Sequence, residues 1–494
     1  MKHAIALLAA ELALALAVAG PAPAKSPRVL LVGKNGTFKT IQAAVKAAHR
    51  GDWILVAPGD YRETVRIRKD GLHLRGMSRN GVIVDGTKSG PACSPKASDQ
   101  VFNRKDEGNG VEVFKADGVW IENLTVCNFL GEGNQIWWNG GDGSGKIGMS
   151  TFHGSYLSTT STYFNAKKPQ ATYGIFVSNA KGKGDVTDSY ASNMNDAAFY
   201  VGACHPCNTT LDRVHGEFNN LGYSGTNSSK VTIKRSEFND NFTGIATNSQ
   251  NNDDAPSPQL GSTFTKNYVH DNNNPNVPSE PEGLRAVGVG IIVAGGRNNK
   301  VLSNRIEHNG AWGVVLAPFP DTDKPPKVAH CEGGLKVPNI FTGKGQMCFF
   351  DVFNNEVASN TFARNGFFGN PTNGDLAEVS NQNDKGNCWH DNSVKGGATP
   401  TSYPADLQAT HAQCGAPNQG DPILGTLTDQ LLCSTEIIAP CKTDATHQYP
   451  QTKKIRVHAL PRQRSMPDPC KGVPANPWCP GKGTRSAGTA ARRR

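Results

Sequence analysis

Residues 38–48 place Phe38, Ile41, Val45 and Ala48 on one side at helical spacing, which predicts a short helix. Asn35-Gly36-Thr37 offers capping groups before it, and Arg50-Gly51-Asp52 stops it. From Trp53 the apolar period changes to two. Trp53-Ile54-Leu55-Val56 reads as a buried strand closed by Pro58-Gly59, and Val65-Arg66-Ile67, Leu72-His73-Leu74 and Val82-Ile83-Val84 follow at turn-punctuated intervals. These strands leave no room between them for crossover helices, so the pattern predicts an all-β chain behind one helix.

Further on, the pattern repeats. Val231-Thr232-Ile233-Lys234-Arg235-Ser236-Glu237-Phe238-Asn239-Asp240-Asn241 aligns with segments starting at Phe264, Val301 and Val357, and weaker copies start at Leu124 and Tyr190. Each has an Asn or Ser, an apolar residue two places on, a second Asn, and usually then a Gly before an apolar strand such as Gly244-Ile245-Ala246 or Gly313-Val314-Val315-Leu316. Asn219 to Asn241 spans one uninterrupted unit of 22 residues. A unit of that length, holding two or three short strands and no helix, cannot bury its apolar face alone. Stacked units share one core, which predicts a parallel β-helix solenoid of roughly ten to thirteen coils with the N-terminal helix capping its open end. The recurring asparagines tolerate left-handed backbone, and their amides can bond the coil above, so they read as structural ladders and not as catalytic groups.

Three stretches interrupt the rhythm: 134–170, which holds Trp137-Trp138; 250–284, rich in Asn, Asp and Pro; and 318–348, with Cys331 and Cys348. The β-helix is expected over 25–398. Residues 399–494 read as a Cys- and Pro-rich irregular tail pinned by disulfides, with about its last 15 residues disordered.

Composition narrows the compartment. Met1 to Ala24 has a basic start, an apolar stretch from Ile5 to Val18 and a small-residue exit at Ala22-Pro23-Ala24, the layout of a secretory signal peptide. Twelve cysteines in an exported chain read as disulfides, paired by proximity as Cys93 with Cys127, Cys204 with Cys207, Cys331 with Cys348, Cys388 with Cys414, Cys433 with Cys441 and Cys470 with Cys479. No apolar run after the N-terminus is long enough to span a membrane. The net charge of +9 is concentrated toward the tail, ending in Arg492-Arg493-Arg494, and suits acidic polysaccharide, wall polymer or lipid headgroups. Nucleic acid is not expected, because the basic residues are not interleaved with stacking aromatics.

Thr40-Ile41-Gln42-Ala43-Ala44, Gly51-Asp52, Val56-Ala57-Pro58-Gly59, Tyr61, Glu63, Ile67 and the turn from Leu74-x-Gly76 to Asp85-Gly86 carry a resemblance. The segment Phe38 to Gly86 resembles the opening coils of right-handed parallel β-helix proteins of the pectin-lyase-like superfamily. The block Tyr190-Ala191-Ser192, Asp196 to Gly202, Cys204-His205-Pro206-Cys207 and Gly222 to Asn227 is similar to exported bacterial β-helix proteins of unassigned function. The resemblance covers roughly residues 36–395. It implies the fold and a secreted or cell-envelope protein that binds, and in an enzymatic form cleaves, polysaccharide as a lyase or glycoside hydrolase. The superfamily's acidic calcium ligands, its Gly-His-Gly and Arg-x-Lys of pectin hydrolysis and its methylesterase signature are missing. No cofactor is therefore called for, and calcium alone stays open.

Loops on one flank of a β-helix are where ligands bind. By that logic Asp196, Tyr200, His205 and Tyr223 form the first candidate cluster. Tyr200 and Tyr223 are 23 apart, close to one coil, so two stacked rings would suit a sugar and Asp196 its hydroxyls; the other reading is a packed aromatic ladder with Asp196 closing a turn. Trp137 and Trp138, in the first insertion, would either cover a groove likewise or pack locally. Asn251-Asn252-Asp253-Asp254 offers paired carboxylates for acid and base, set in what otherwise reads as a solvated loop. Cys204-His205-Pro206-Cys207 reads as a short structural disulfide, with a copper(I) site of the nitrous-oxide-reductase maturation type as the other reading. The sequence thus supports a monomeric polysaccharide-binding protein first, a non-catalytic adhesion scaffold second and a copper-accessory protein third.

Overall fold

The computed structural model describes residues 26–102, 108–141, 149–252, 256–279, 285–322, 324, 327, 335–339, 342–380, 386–416, 425–436 and 449–481. Residues 1–24, expected to form a signal peptide, Asp253, Asp254 and the last 13 residues lie outside them.

Strands follow one another around a three-sided coil. His73–Gly76 belongs to a first sheet, Val82–Asp85 to a second and Val111–Phe114 to a third, after which Val119–Glu122 returns to the first. The three sheets have 12, 11 and 11 strands, every pair in them parallel and each joined to the strand one coil away. The chain is a right-handed parallel β-helix. Apolar residues are forced inward because each coil is closed only by its neighbours. Ile54, Leu74, Ile121, Gly154, Val186, Leu211, Ile233, Phe264, Val301, Val357 and Trp389 form one continuous inward column of the first sheet. Gly154 is required there: a Cβ would come within 2.7 Å of the Trp138 ring that fills the same level.

The helix is Ile41–Ala47, shorter than the pattern predicts. Phe38 is held in a parallel bridge to Val32, so the helix cannot start before Thr40. The caps also differ from Asn35-Gly36-Thr37. The Thr40 hydroxyl accepts from Ala43 N at 3.2 Å, and the Glu63 carboxylate accepts from Ile41 N and Gln42 N, each at 2.8 Å. Lys69 Nζ donates to the carbonyls of Val45, Lys46 and Ala48 at the other end, where a cation also meets the helix dipole.

The asparagines form three amide ladders. Asn219, Asn241, Asn272, Asn309 and Asn365 are linked by Nδ2–Oδ1 bonds of 3.0–3.1 Å. Asn267, Asn304, Asn360 and Asn392 form a second column and Asn299, Asn355 and Asn387 a third. In the first ladder the left-handed backbone belongs to the residue just before each asparagine: Phe218, Asp240, Asp271, His308 and Arg364 have φ between 53° and 59°. That residue turns the corner and faces outward, and the asparagine after it points in.

The stretch 134–170 still contributes the rungs Ile136–Asn139, Met149–Ser155 and Ser158–Thr160. In 318–348, Phe319–Pro320, Leu335–Pro338 and Gln346–Phe350 make a small antiparallel sheet. The helix continues past residue 398, ending with the third-sheet strand Ser402–Tyr403. Disulfides join Cys93–Cys127, Cys204–Cys207, Cys388–Cys414 and Cys470–Cys479, and Cys348 and Cys433 are disulfide-bonded as well. Among the described residues no helix is long and apolar enough to cross a membrane.

Candidate functional site

The outer face of the third sheet holds a row set by register alone. Arg66, Glu112, Trp137, Phe176, Tyr200, Ser224, Ala246, Ile292, Val315 and Ala377 lie side by side on successive strands, each pointing out because its neighbours in the strand point in. The row divides after Tyr200. Ala246, Ile292 and Val315 are buried in an outer apolar cluster with Trp312, Leu427, Cys433 and Tyr449. The helix Thr426–Ser434 is the roof, tied down by Gln430 Oε1, which accepts from Thr372 N at 3.0 Å, and by the Arg285–Glu436 ion pair.

Before the division the row is open. Trp137 and Phe176 stack with centroids 5.1 Å apart and planes 9° from parallel, and Tyr200 meets Phe176 edge-on at 4.9 Å. Tyr173 lies 4.7 Å from both Phe176 and Tyr200. All four rings are partly exposed. At the far end, Glu112 is buried and its charge is taken up by Arg66 Nε at 2.8 Å. Beside Arg66, a cleft of about 420 Å³ opens between the cap helix and the sheet, lined by Gln42, Val45, Lys46, Thr64, Arg66, Arg68 and Lys69. Arg68 is steadied over the Phe114 ring at 4.5 Å.

The structure brings Trp137 and Tyr200 together through Phe176 and Tyr173, which the sequence pattern missed because an insertion separates them from Trp137. Two expected members are overturned. Tyr223 pairs with Phe199, not Tyr200, and is fully buried in the core. The partner of Tyr200 is Ser224, one coil of 24 residues away, so a spacing of 23 lands on the opposite face. Burial pushes the Tyr223 phenol well above its ordinary pKa. Trp138 also points inward and is fully buried, 5.5 Å from Phe152. Asp196 sits at the corner before Ala197–Gly202, half-buried, its main chain accepting from Leu221 N at 2.7 Å. His205 is half-buried in the loop closed by the Cys204–Cys207 disulfide, which leaves neither sulfur as a thiolate for copper(I). Among the described residues the metal-like grouping is Cys388, His390 and Cys414, and its two sulfurs are likewise bonded to each other.

The other two outer faces carry different chemistry. On the first sheet, Trp53, His73, Trp120 and His153 form an in-register ring ladder with contacts of 4.1–5.3 Å, ending where His153 Nδ1 meets Asp185 Oδ2 at 2.8 Å. Burial, with Arg75 beside it, pushes His73 down to about 4, so it is neutral. On the second sheet, His270 lies between Glu237 and Asp271 at 3.2 and 2.7 Å, and His215 Nε2 meets Asn239 at 2.7 Å.

Burial lowers the pKa of His270, but the bonds to Glu237 and Asp271 outweigh it, and the net shift is upward. Glu237 is shifted down, chiefly by its bond from His270. The His270 contribution to stability is therefore full below its unfolded value near 6.5 and is lost as pH rises through the folded one. The Glu237 contribution is present above about 4.3 and is lost on acidification. The difference in Tm between the wild type and His270→Gln should peak between about pH 4.5 and 6.5. A difference that stays constant from about pH 4 to about pH 9 would show that the pair carries no charge coupling.

No protein-family model matches the chain, and no curated protein does. Among solved structures it is similar to the A-module of the mannuronan C-5 epimerase AlgE6 of Azotobacter vinelandii, at 15% identity over 72% of this chain and 88% of that one, with a TM-score of 0.46. For the AlgE4 A-module of the same organism the values are 13%, 77%, 93% and 0.43. For an alginate lyase from Paenibacillus sp. str. FPU-7 they are 12%, 58%, 91% and 0.38.

Proposed function

We propose that the protein is an exported polysaccharide-binding β-helix that holds a glycan chain across the open half of the third sheet. The observation that carries this reading is the partly exposed, in-register row of Trp137, Phe176 and Tyr200, leading to a cleft with Arg66 and Arg68 in its wall. Sugar rings present C–H faces that suit flat aromatic surfaces, and strands one rung apart fix those surfaces at about 4.8 Å steps. The carboxylate of the row, Glu112, is buried and held in an ion pair with Arg66 at 2.8 Å, which leaves the three rings as the surface offered to a ligand. Disulfides at four places fit an oxidising compartment.

The test is a glycan array followed by titration of the best ligand. Trp137→Ala and Tyr200→Ala are each expected to weaken binding about tenfold, ~1.4 kcal/mol. Tyr223→Phe should leave it unchanged, since that ring faces the core. Unchanged affinity in both alanine variants, or release of unsaturated uronate from the ligand, would replace this reading, the second outcome in favour of a lyase.

A further inference from the structure

From Tyr449 to Gly481 the chain forms neither helix nor strand, yet it is fixed along the barrel at successive corners. Asn276 Oδ1 accepts from Lys453 N and Lys454 N at 3.0 and 3.1 Å. Asn193 makes a two-way clamp with the main chain of His458, both bonds 2.9 Å, and the His458 ring stacks on Phe218 at 3.7 Å. Asn80 clamps Gln463 in the same two-way manner at 2.9 and 2.7 Å. Buried Arg79 donates to Arg464 O, Asn123 Oδ1 accepts from Met466 N, and Arg75 donates to Pro469 O and Lys471 O. The Cys470–Cys479 loop then packs on Trp53 and Leu55.

These clamps take the strap by its main chain. Its cations, Lys453, Lys454, Arg456, Arg462, Arg464 and Lys471, are all exposed, and among the described residues none has an ion pair, hydrogen bond or ring contact through its side chain. In the barrel Arg28, Arg66, Arg75, Arg213, Arg235, Arg285 and Arg305 are ion-paired, Arg68 lies over Phe114 and Arg79 is buried among hydrogen-bond acceptors. The strap has a single acid, Asp468. From the coil of Asn276 to the coil of Arg75 it climbs six rungs of the first sheet, about 29 Å, or about one cation per 5 Å of rise.

We propose that this strap is a second binding site, a rail of fixed charge for a linear acidic polysaccharide lying along the long axis of the barrel. A polyuronate carries one carboxylate per sugar ring and so repeats its charge on a comparable step. The main chain of the rail is already immobilised, so on the protein's side binding orders only six side chains. Among the described residues no aromatic ring of the strap is free to stack bases: Tyr449 is buried against Trp312 and Phe368, His458 is spent on Phe218, and Trp478 packs against Trp53 and Leu55. The site goes beyond the third-sheet row and does not depend on it.

The full chain is titrated with polygalacturonate, and in parallel with single-stranded DNA, from about 50 to 200 mM salt. One variant replaces all six strap cations by Gln, and a second carries Trp137→Ala with Tyr200→Ala. For the wild type, affinity for polygalacturonate should fall at least tenfold across that salt range. The Gln variant should melt as the wild type does, bind about tenfold more weakly at low salt and lose most of the salt slope. The aromatic variant should keep the slope whatever it does to affinity, which separates failure of the rail from failure of the row. An unchanged slope in the Gln variant, or tighter binding of DNA than of polygalacturonate, overturns the proposal.

Discussion

Asn272→Ala is expected to remove about 3–5 kcal/mol of stability, although it deletes only a small polar group. The side chain occupies the middle of the longest ladder. Its Oδ1 accepts from Asn241 Nδ2 at 3.0 Å and Asn241 N at 3.4 Å, and its Nδ2 donates to Phe238 O and Asn309 Oδ1, both at 3.1 Å. It is fully buried, so water cannot replace these partners. Each orphaned backbone or amide group costs about 1–3 kcal/mol, and at least two are orphaned here. Asn272→Leu should be no better than alanine, because the loss is of hydrogen bonds and not of volume. The measurement is urea unfolding, with hydrogen exchange on Glu237–Asn239 and Arg305–Glu307 to show whether the damage stays within the neighbouring coils, as it does when each repeat contacts only the next. A loss below about 1 kcal/mol would mean that the ladder follows from the stack and does not hold it.

The same residues show why the fold was legible and part of the site was not. Inward positions of a coil accept only apolar groups, and the ladder accepts only an amide that can both donate and accept, so both leave a periodic trace in the sequence. The corner position leaves none: Phe218, Asp240, Asp271, His308 and Arg364 share a backbone angle and no chemistry. Which outward residues meet depends on coil length to the single residue. The coils bounded by the long ladder span 22, 31, 37 and 56 residues, and a one-residue error sends Tyr223 to the core. The strap was invisible for a different reason. It is held by its main chain, so its side chains carry no pattern, and the groups that hold it, Asn80, Asn123, Asn193 and Asn276, look like any turn asparagine.

Glu122→Ala is expected to cost about 3–5 kcal/mol and to loosen the strap at the same time. Arg75 and Glu122 are register partners on the first sheet, with side chains 6% and 3% exposed. The guanidinium gives Nε and Nη2 to Glu122 Oε2 at 2.9 and 2.7 Å, lies over Trp53 at 4.7 Å, and gives Nη1 to Pro469 O and Lys471 O. Without the carboxylate, a buried cation is left with carbonyl dipoles and the Trp53 ring but no counter-charge, and the folded state must bear its desolvation or admit water by releasing the strap. The paired change Arg75→Met with Glu122→Met removes both charges and should regain most of the lost stability. It also removes the two bonds to the strap, so limited proteolysis within 466–481 should be faster than in the wild type. Stability and strap protection are thereby uncoupled: the single variant loses both, the double variant only the second. A single variant within about 1 kcal/mol of wild type would mean that solvent already reaches the pair, and the anchoring of the strap at Arg75 would then have to rest on its packing against Trp53 and Leu55 alone.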